Sequence, residues 1–253
     1  MMDSTAIFVG VLSLLPFLVL LFRGKYIYFE IFALFAIVVH GIFFYGPNIL
    51  YFLVLTYIVS TAAELTSLKT PIYCFGVKYR YNLNHPYFSS RVRLLGVYPL
   101  EISLGWVILK YLSFNLTMIM SSAFGLPIYV KIFLVPMVLV SLDFIFDPVD
   151  VHVRKLWKWE KGSAYFDIPL RNFLAWYLVG FVASVPLLWV GLRNPLTFHY
   201  LLILPIIFYA VLLDNIRLLL KLDLYKGILG ALPAVCWVAL STVGLYILYL
   251  RQG

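Results

Sequence analysis

Apolar runs of about 17–25 residues, long enough to cross a hydrocarbon core about 30 Å thick as helices, recur eight times along this chain. They cover approximately 6–22, 26–46, 48–66, 94–113, 127–146, 171–191, 197–214 and 227–250, and the seventh is the weakest. In lipid every backbone polar group must be satisfied within the segment, so such runs fold as helices. The chain is 64% hydrophobic and 12% charged, against about 45–50% and about 25% in soluble domains. The expected fold is an all-α, polytopic transmembrane helix bundle of about eight spans, with seven as the other count. No Gly/Ser linker, repeat or low-complexity tail divides it, so residues 1–253 read as a single integral membrane domain. The opening MMDSTAI has no basic stretch and no A-x-A site follows the first run, which therefore reads as a span and not as a cleaved signal.

Charge orders the spans. The formal net charge of +8 could suggest nucleic acid, but Lys and Arg sit in short connections between apolar runs, so no nucleic-acid partner is expected. Arg23 and Lys25; Lys69, Lys78, Arg80, Arg91 and Arg93; Arg154, Lys155, Lys158, Lys161 and Arg171; and Arg217, Lys221 and Lys226 make fifteen on one side. Lys110, Lys131, Arg193 and Arg251 make four on the other. The positive-inside rule then predicts a multi-pass protein of the cell membrane with both termini outside. Membrane lipid is the expected surroundings, and the loops 67–93 and 148–170 fall at the cytoplasmic face.

The unusual polar residues converge at that same face. In DFIFDPVDVHVRKLWKWEKGSAYFDIPLRNFLAW (143–176), Asp143, Asp147 and Asp150 stand at i, i+4 and i+7 at the end of an apolar run. Glu64 ends another run. Ionisable residues at membrane depth are rare and mark functional sites. Plainer readings stand beside this one. Asp147-Pro148 also suits a helix end, since Pro interrupts a helix and Asp tolerates the turn that follows. Asp150 and Glu160 lie among Arg154, Lys155, Lys158 and Lys161, as solvated ion pairs do. Glu101 either pairs with an arginine or lines the site. Asp214-Asn215 with Arg217 reads as a helix end, and His85 and His152 as loop histidines. Tyrosines and tryptophans in the loops suit interfacial anchors whatever the function.

Several chemistries lack their motifs. No His or Cys pair has metal spacing, so no metal site is expected. A Gly-rich phosphate loop and a G-x-S-x-G elbow are also absent. Cys74 and Cys236 read as free thiols. Asn115-Leu-Thr117 matches a glycosylation sequon, a weak pattern. The two halves do not match as transporter repeats do. The three aspartates superficially suit a Mg²⁺–diphosphate site, but Pro148 is expected to end the helix before Asp150 joins the same face, and there is no second Asp-rich motif. What remains is a membrane cavity with protonatable carboxyls, many aromatics and no cofactor. A carboxyl with little access to water holds its proton and can deliver it to a polyene, and aromatic faces stabilise the resulting carbocation.

These residues carry a resemblance. Asp143, Asp147-Pro148, Trp157, Trp159, Tyr165-Phe166, Ile168-Pro169, Asn172-Phe173 and Trp176 resemble the carotenoid biosynthesis membrane protein family. So do Glu64, Phe75-Gly76, Tyr79, Tyr81, Leu95-Gly96-Val97, Pro99 and Trp106 upstream. That family includes cofactor-independent enzymes of the carotenoid 1,2-hydratase and bisanhydrobacterioruberin hydratase type. Asp167 stands where the family usually has glycine. The resemblance implies hydration of the terminal C1=C2 bond of an acyclic or monocyclic carotenoid, with Asp143, Asp147 and Glu64 as catalytic residues. Tyr79, Tyr81, Trp106, Trp157, Trp159, Tyr165, Asn172 and Trp176 would contact the lipophilic substrate, with other carotenoid-pathway membrane enzymes as partners. The competing readings are a Mg-dependent prenyl-transfer or elongase enzyme of the same pathway and a non-catalytic carotenoid-binding subunit.

Overall fold

The computed structural model describes residues 4–21, 26–70, 78–190, 192 and 196–252. Its helices are α1 (Ser4–Leu21), α2 (Tyr26–Tyr45), α3 (Ile49–Lys69), α4 (Leu100–Phe124), α5 (Ile128–Pro148), α6 (Leu170–Val182), α7 (Ile203–Leu212), α8 (Asn215–Leu222) and α9 (Leu224–Leu250). Short strands β1 (Tyr79–Tyr81), β2 (Arg93–Leu94), β3 (Tyr98–Pro99) and β4 (Trp157–Trp159) lie in the connections. Among the described residues seven helical stretches are long and apolar enough to cross a membrane, and the N-terminal helix adds a shorter apolar one. The fold is thus an all-α multi-pass bundle, within the expected count.

α4 is the central helix and packs against α2, α3, α5, α7 and α9. It differs from the expected span 94–113. It starts only after the β2–β3 hairpin, at Pro99, whose missing N–H costs nothing at a helix start, and it runs to Gly125 at φ +68°. The polar stretch 113–117, which looked like its end, is its most buried part. Ser113, Asn115 and Thr117 satisfy themselves on carbonyls one turn back, at 2.8, 2.8 and 2.9 Å. Small polar residues of this kind let membrane helices approach closely. Asn115, fully buried, is no glycan acceptor.

Lys110 likewise belongs to no connection. It is buried within α4 and bonds the Gly180 carbonyl and, at 2.5 Å, Ser184 Oγ. Those contacts hold the end of α6, where Pro186 lacks the N–H that would continue the helix, and a short 3₁₀ turn (Val185–Leu188) follows. α5, by contrast, does not stop at Pro148. Pro148 keeps helical angles, φ −59° and ψ −41°, and the chain continues as a six-residue π turn (Val149–Arg154) that ends at Lys155, φ +58°. The carbonyl one turn back that the missing Pro148 N–H would leave open, that of Phe144, accepts instead from the Tyr165 hydroxyl at 2.6 Å. Asp150 therefore joins the helix that carries Asp143 and Asp147.

At the end of the bundle where α3 and α5 finish, two connections zip together. β1 and β4 pair antiparallel, with Tyr79 opposite Trp159, Arg80 opposite Lys158 and Tyr81 opposite Trp157. Strand side chains alternate between faces. The four aromatics accordingly point into the bundle and the two cations point out. Arg80 meets Glu160 in an exposed ion pair at 3.7 Å. The connection continues through Phe166 and Asp167, both left-handed at φ +47° and +56°. Glycine takes that backbone most easily, and aspartate, which stands at the second of these, is among the few other residues that tolerate it.

Candidate functional site

Two cavities meet beneath the β1–β4 lid. The smaller, about 30 Å³, is lined by Glu64, Tyr79, Tyr81, Ile102, Asp147, Trp157, Trp159, Asn172 and Trp176, and has room for about one or two waters. The larger, about 170 Å³, follows the inner faces of α2 and α4. Both Tyr26 and His40 line it, so it extends about 20 Å along α2 at 1.5 Å per residue. Asp143 and Trp106 border the larger cavity, and Ile102, Trp157 and Trp176 border both. Trp106 and Trp176 stack at 4.0 Å between ring centres.

The carboxyls are organised by neutral donors. Glu64, buried near the end of α3, accepts from Trp106 Nε1 at 3.1 Å on one oxygen and from the Tyr81 hydroxyl at 3.0 Å and the Tyr79 hydroxyl on the other. Burial, and then the neighbouring Glu64 carboxylate, pushes both phenols well above their ordinary range, so they stay protonated and donate. Asp143 and Asp147 lie one turn apart on one face of α5. The Asn172 amide bridges them, donating to Asp143 Oδ2 at 3.0 Å and to Asp147 Oδ2 at 2.6 Å. Trp157 Nε1 donates to Asp147 Oδ1 at 2.8 Å. Neither aspartate is in an ion pair among the described residues. A proton shared between them is how such a pair is accommodated away from water. The pair also has two outlooks, Asp143 toward the apolar cavity and Asp147 toward the small one.

Most of the expected site residues therefore surround these two spaces, and Tyr165 does not. Its hydroxyl donates to the Phe144 carbonyl at 2.6 Å, and its ring packs against Phe173 and over Gly230 of α9. Asp150 does pair with a basic neighbour, Arg154, at 2.5 Å, but the pair lines the larger cavity and only its arginine is partly open to solvent. Arg154 also reaches Asn215, so the Asp214–Asn215 break borders the larger cavity, while Asp214 itself pairs with Arg217 at the surface. Glu101 accepts from the Ser90 amide, not from an arginine. His85 and His152 make loop contacts as expected, with the Tyr87 amide and the Phe166 carbonyl. His40, placed near the opposite face by its position in the chain, lies buried at the deep end of the cavity, 2.6 Å from the Tyr111 hydroxyl. Among the described residues no three of His, Cys, Asp and Glu are grouped as around a metal ion. Cys236 is an exposed free thiol, while Cys74, Phe75 and Gly76 lie outside the described residues.

Sequence reasoning missed Glu30. It is buried on α2 and lines the larger cavity. The rule that singled out Glu64, a charge inside an apolar run, applies equally to YIYFEIFALF.

No curated relative and no solved structure matches the chain. The sequence profile of one family, described as carotenoid biosynthesis protein, matches residues 25–243, which spans α2 to most of α9 and every residue of both cavities except Ser13. A multi-pass bundle with an apolar slot ending on buried carboxyls, matched over most of its length, belongs to the carotenoid biosynthesis protein family.

Proposed function

We propose that this protein is a cofactor-independent hydratase that adds water across the terminal C1=C2 bond of an acyclic or monocyclic carotenoid. One observation carries the reading: the Asn172-bridged carboxyl pair stands between an apolar cavity, reached by Asp143, and a water-sized one, reached by Asp147 and Glu64. Such an arrangement lets the acid pair meet an alkene from one side and water from the other.

In the proposed reaction one end of the polyene enters the larger cavity. Asp143 gives its proton to C2; the C1=C2 π electrons form the new C–H bond and leave a tertiary cation at C1. The stacked Trp106–Trp176 pair and Trp157 face that charge. Water in the small cavity attacks C1 through its oxygen and loses a proton to Asp147, so the pair again holds one proton after each turnover. Glu64, whose oxygens already accept from Tyr79, Tyr81 and Trp106, orients the water and does not take its proton. The cavity extends about 20 Å along α2, less than the hydrocarbon core of about 30 Å, so it receives an end of the substrate and not its full length. The excess of positive charge beside β1 and β4 supports a site at the cytoplasmic face.

Asp143→Asn and Asp147→Asn, expressed in a carotenoid-producing host, should each abolish the pigment that gains one or two waters in mass spectrometry, with membrane levels of the protein unchanged. Hydrated pigment from both variants would remove the assignment. Activity unaffected by EDTA separates the reaction from a Mg-dependent prenyl transfer.

A further inference from the structure

The larger cavity has an acidic wall that the chemistry above leaves unused. Glu30 of α2 and Glu101 at the start of α4 both line it, and they are 2% and 0% exposed. One oxygen of Glu101 accepts the Ser90 amide at 2.7 Å. The Oε2 atom of each glutamate has no hydrogen-bond partner among the described residues, and neither residue joins an ion pair there. Buried acceptors left open in this way are few in folded proteins, because each forfeits its hydration without return. Beyond them toward His40 the wall is mostly apolar, with Ala33 and Ile37 on α2 and Ile108 and Leu109 on α4, while Tyr26, Tyr87 and the Asp150–Arg154 pair border the cavity at its other end. Two open acceptors toward the polar end of a channel that is mostly hydrocarbon-lined match a ligand that is hydrocarbon along its length and carries an O–H donor near one end.

We infer that Glu30 and Glu101 form a hydroxyl-binding station, on the α2–α4 side of the cavity that Asp143 reaches from α5, which holds the alcohol-bearing end of a polyisoprenoid. This deepens the hydratase reading, since a hydroxyl is what hydration leaves on such an end. The station also gives the site a means to distinguish hydroxylated from plain ends, because a pocket with open polar groups discriminates strongly against a ligand that leaves them unpaired.

Binding tests it without turnover. The full chain in lipid nanodiscs is titrated with lycopene and with its 1-hydroxy-1,2-dihydro derivative, read by quenching of the fluorescence of the cavity tryptophans. An Asp143→Asn background keeps the ligands unaltered and makes the result independent of catalysis. The hydroxylated ligand should bind about tenfold more tightly, the factor carried by 1.4 kcal/mol. Glu30→Leu and Glu101→Leu together should erase that preference while leaving lycopene bound at least as well. Glu30→Gln, of the same shape, serves if the double variant is poorly folded, and should reduce the preference. Turnover by the unsubstituted protein separates the two origins of the hydroxyl. A burst of product from lycopene followed by slow release means that the station holds the alcohol just made, and a lower KM for a substrate hydroxylated beforehand means that it holds one already present. Equal affinity for the two ligands, or a preference that survives both glutamate substitutions, would overturn the station while leaving the hydratase assignment to its own test.

Discussion

Asn172 is the residue on which the carboxyl arrangement turns. It is the third residue of α6, fixed there by the Ile168-Pro169 entry, and its single amide group holds two aspartates of another helix. Asn172→Leu leaves two buried acceptors short of a donor, which costs about 1–3 kcal/mol each. The variant should unfold at lower temperature in detergent and lose about 100-fold in the rate of the proposed hydration through misplacement of the acid. The tyrosines beside Glu64 set a pH limit. The folded phenols of Tyr79 and Tyr81 are pushed well above the ordinary 10.0 by burial and then by Glu64. Their contribution is therefore complete below pH 10.0 and is lost as pH rises beyond it, since unfolded phenols ionise first. Thermal unfolding followed from pH 8 to 11 should show a decline that begins near pH 10 and is shallower in the Tyr79→Phe, Tyr81→Phe double variant.

At the scale of elements, the lid and the α9 contact make opposite demands. Arg80 lies at the centre of the β1–β4 ladder but its side chain is 80% exposed, with only a surface ion pair. Arg80→Ala should change stability by less than about 0.5 kcal/mol. Arg80→Pro removes a ladder donor, and should open the lid to protease and depress the proposed hydration. On α9 the constraint is steric: a Cβ on Gly230 would lie 1.9 Å from the Tyr165 hydroxyl and 3.0 Å from its ring carbon. Gly230→Ala should cost about 1–3 kcal/mol by overpacking. Tyr165→Phe in the same chain should return part of the lost thermal midpoint.

At the scale of the whole molecule, the proposed cytoplasmic position of the β1–β4 end rests on the charge of its connections. In a Cys74→Ser, Cys236→Ser background, Lys158→Cys on the outward side of β4 should react with a membrane-impermeant maleimide in inverted vesicles and stay unlabelled in intact cells. Labelling of intact cells would reverse the orientation.

The bundle was legible because hydrophobic length is a local property, and a run of apolar residues has no stable fate in lipid except a helix. The carboxyls were legible for the related reason that a charge within such a run is costly and singles itself out. Asp143, Asp147 and Glu64 could be picked out in this way, and the same reasoning applied to α2 would have reached Glu30. The tertiary structure alone decided the rest. That the helix continues past Pro148 goes with a contact from outside it, the Tyr165 hydroxyl on the carbonyl that the proline leaves open. That polar 113–117 is the most buried part of α4 depends on five helices closing around it. The pairing of Tyr79 with Trp159 and the bridge from Asn172 to two aspartates join residues far apart in the chain. So does the division of the interior into an apolar and a water-sized space. Contacts of that kind arise only when separate helices pack, and no window of sequence records them.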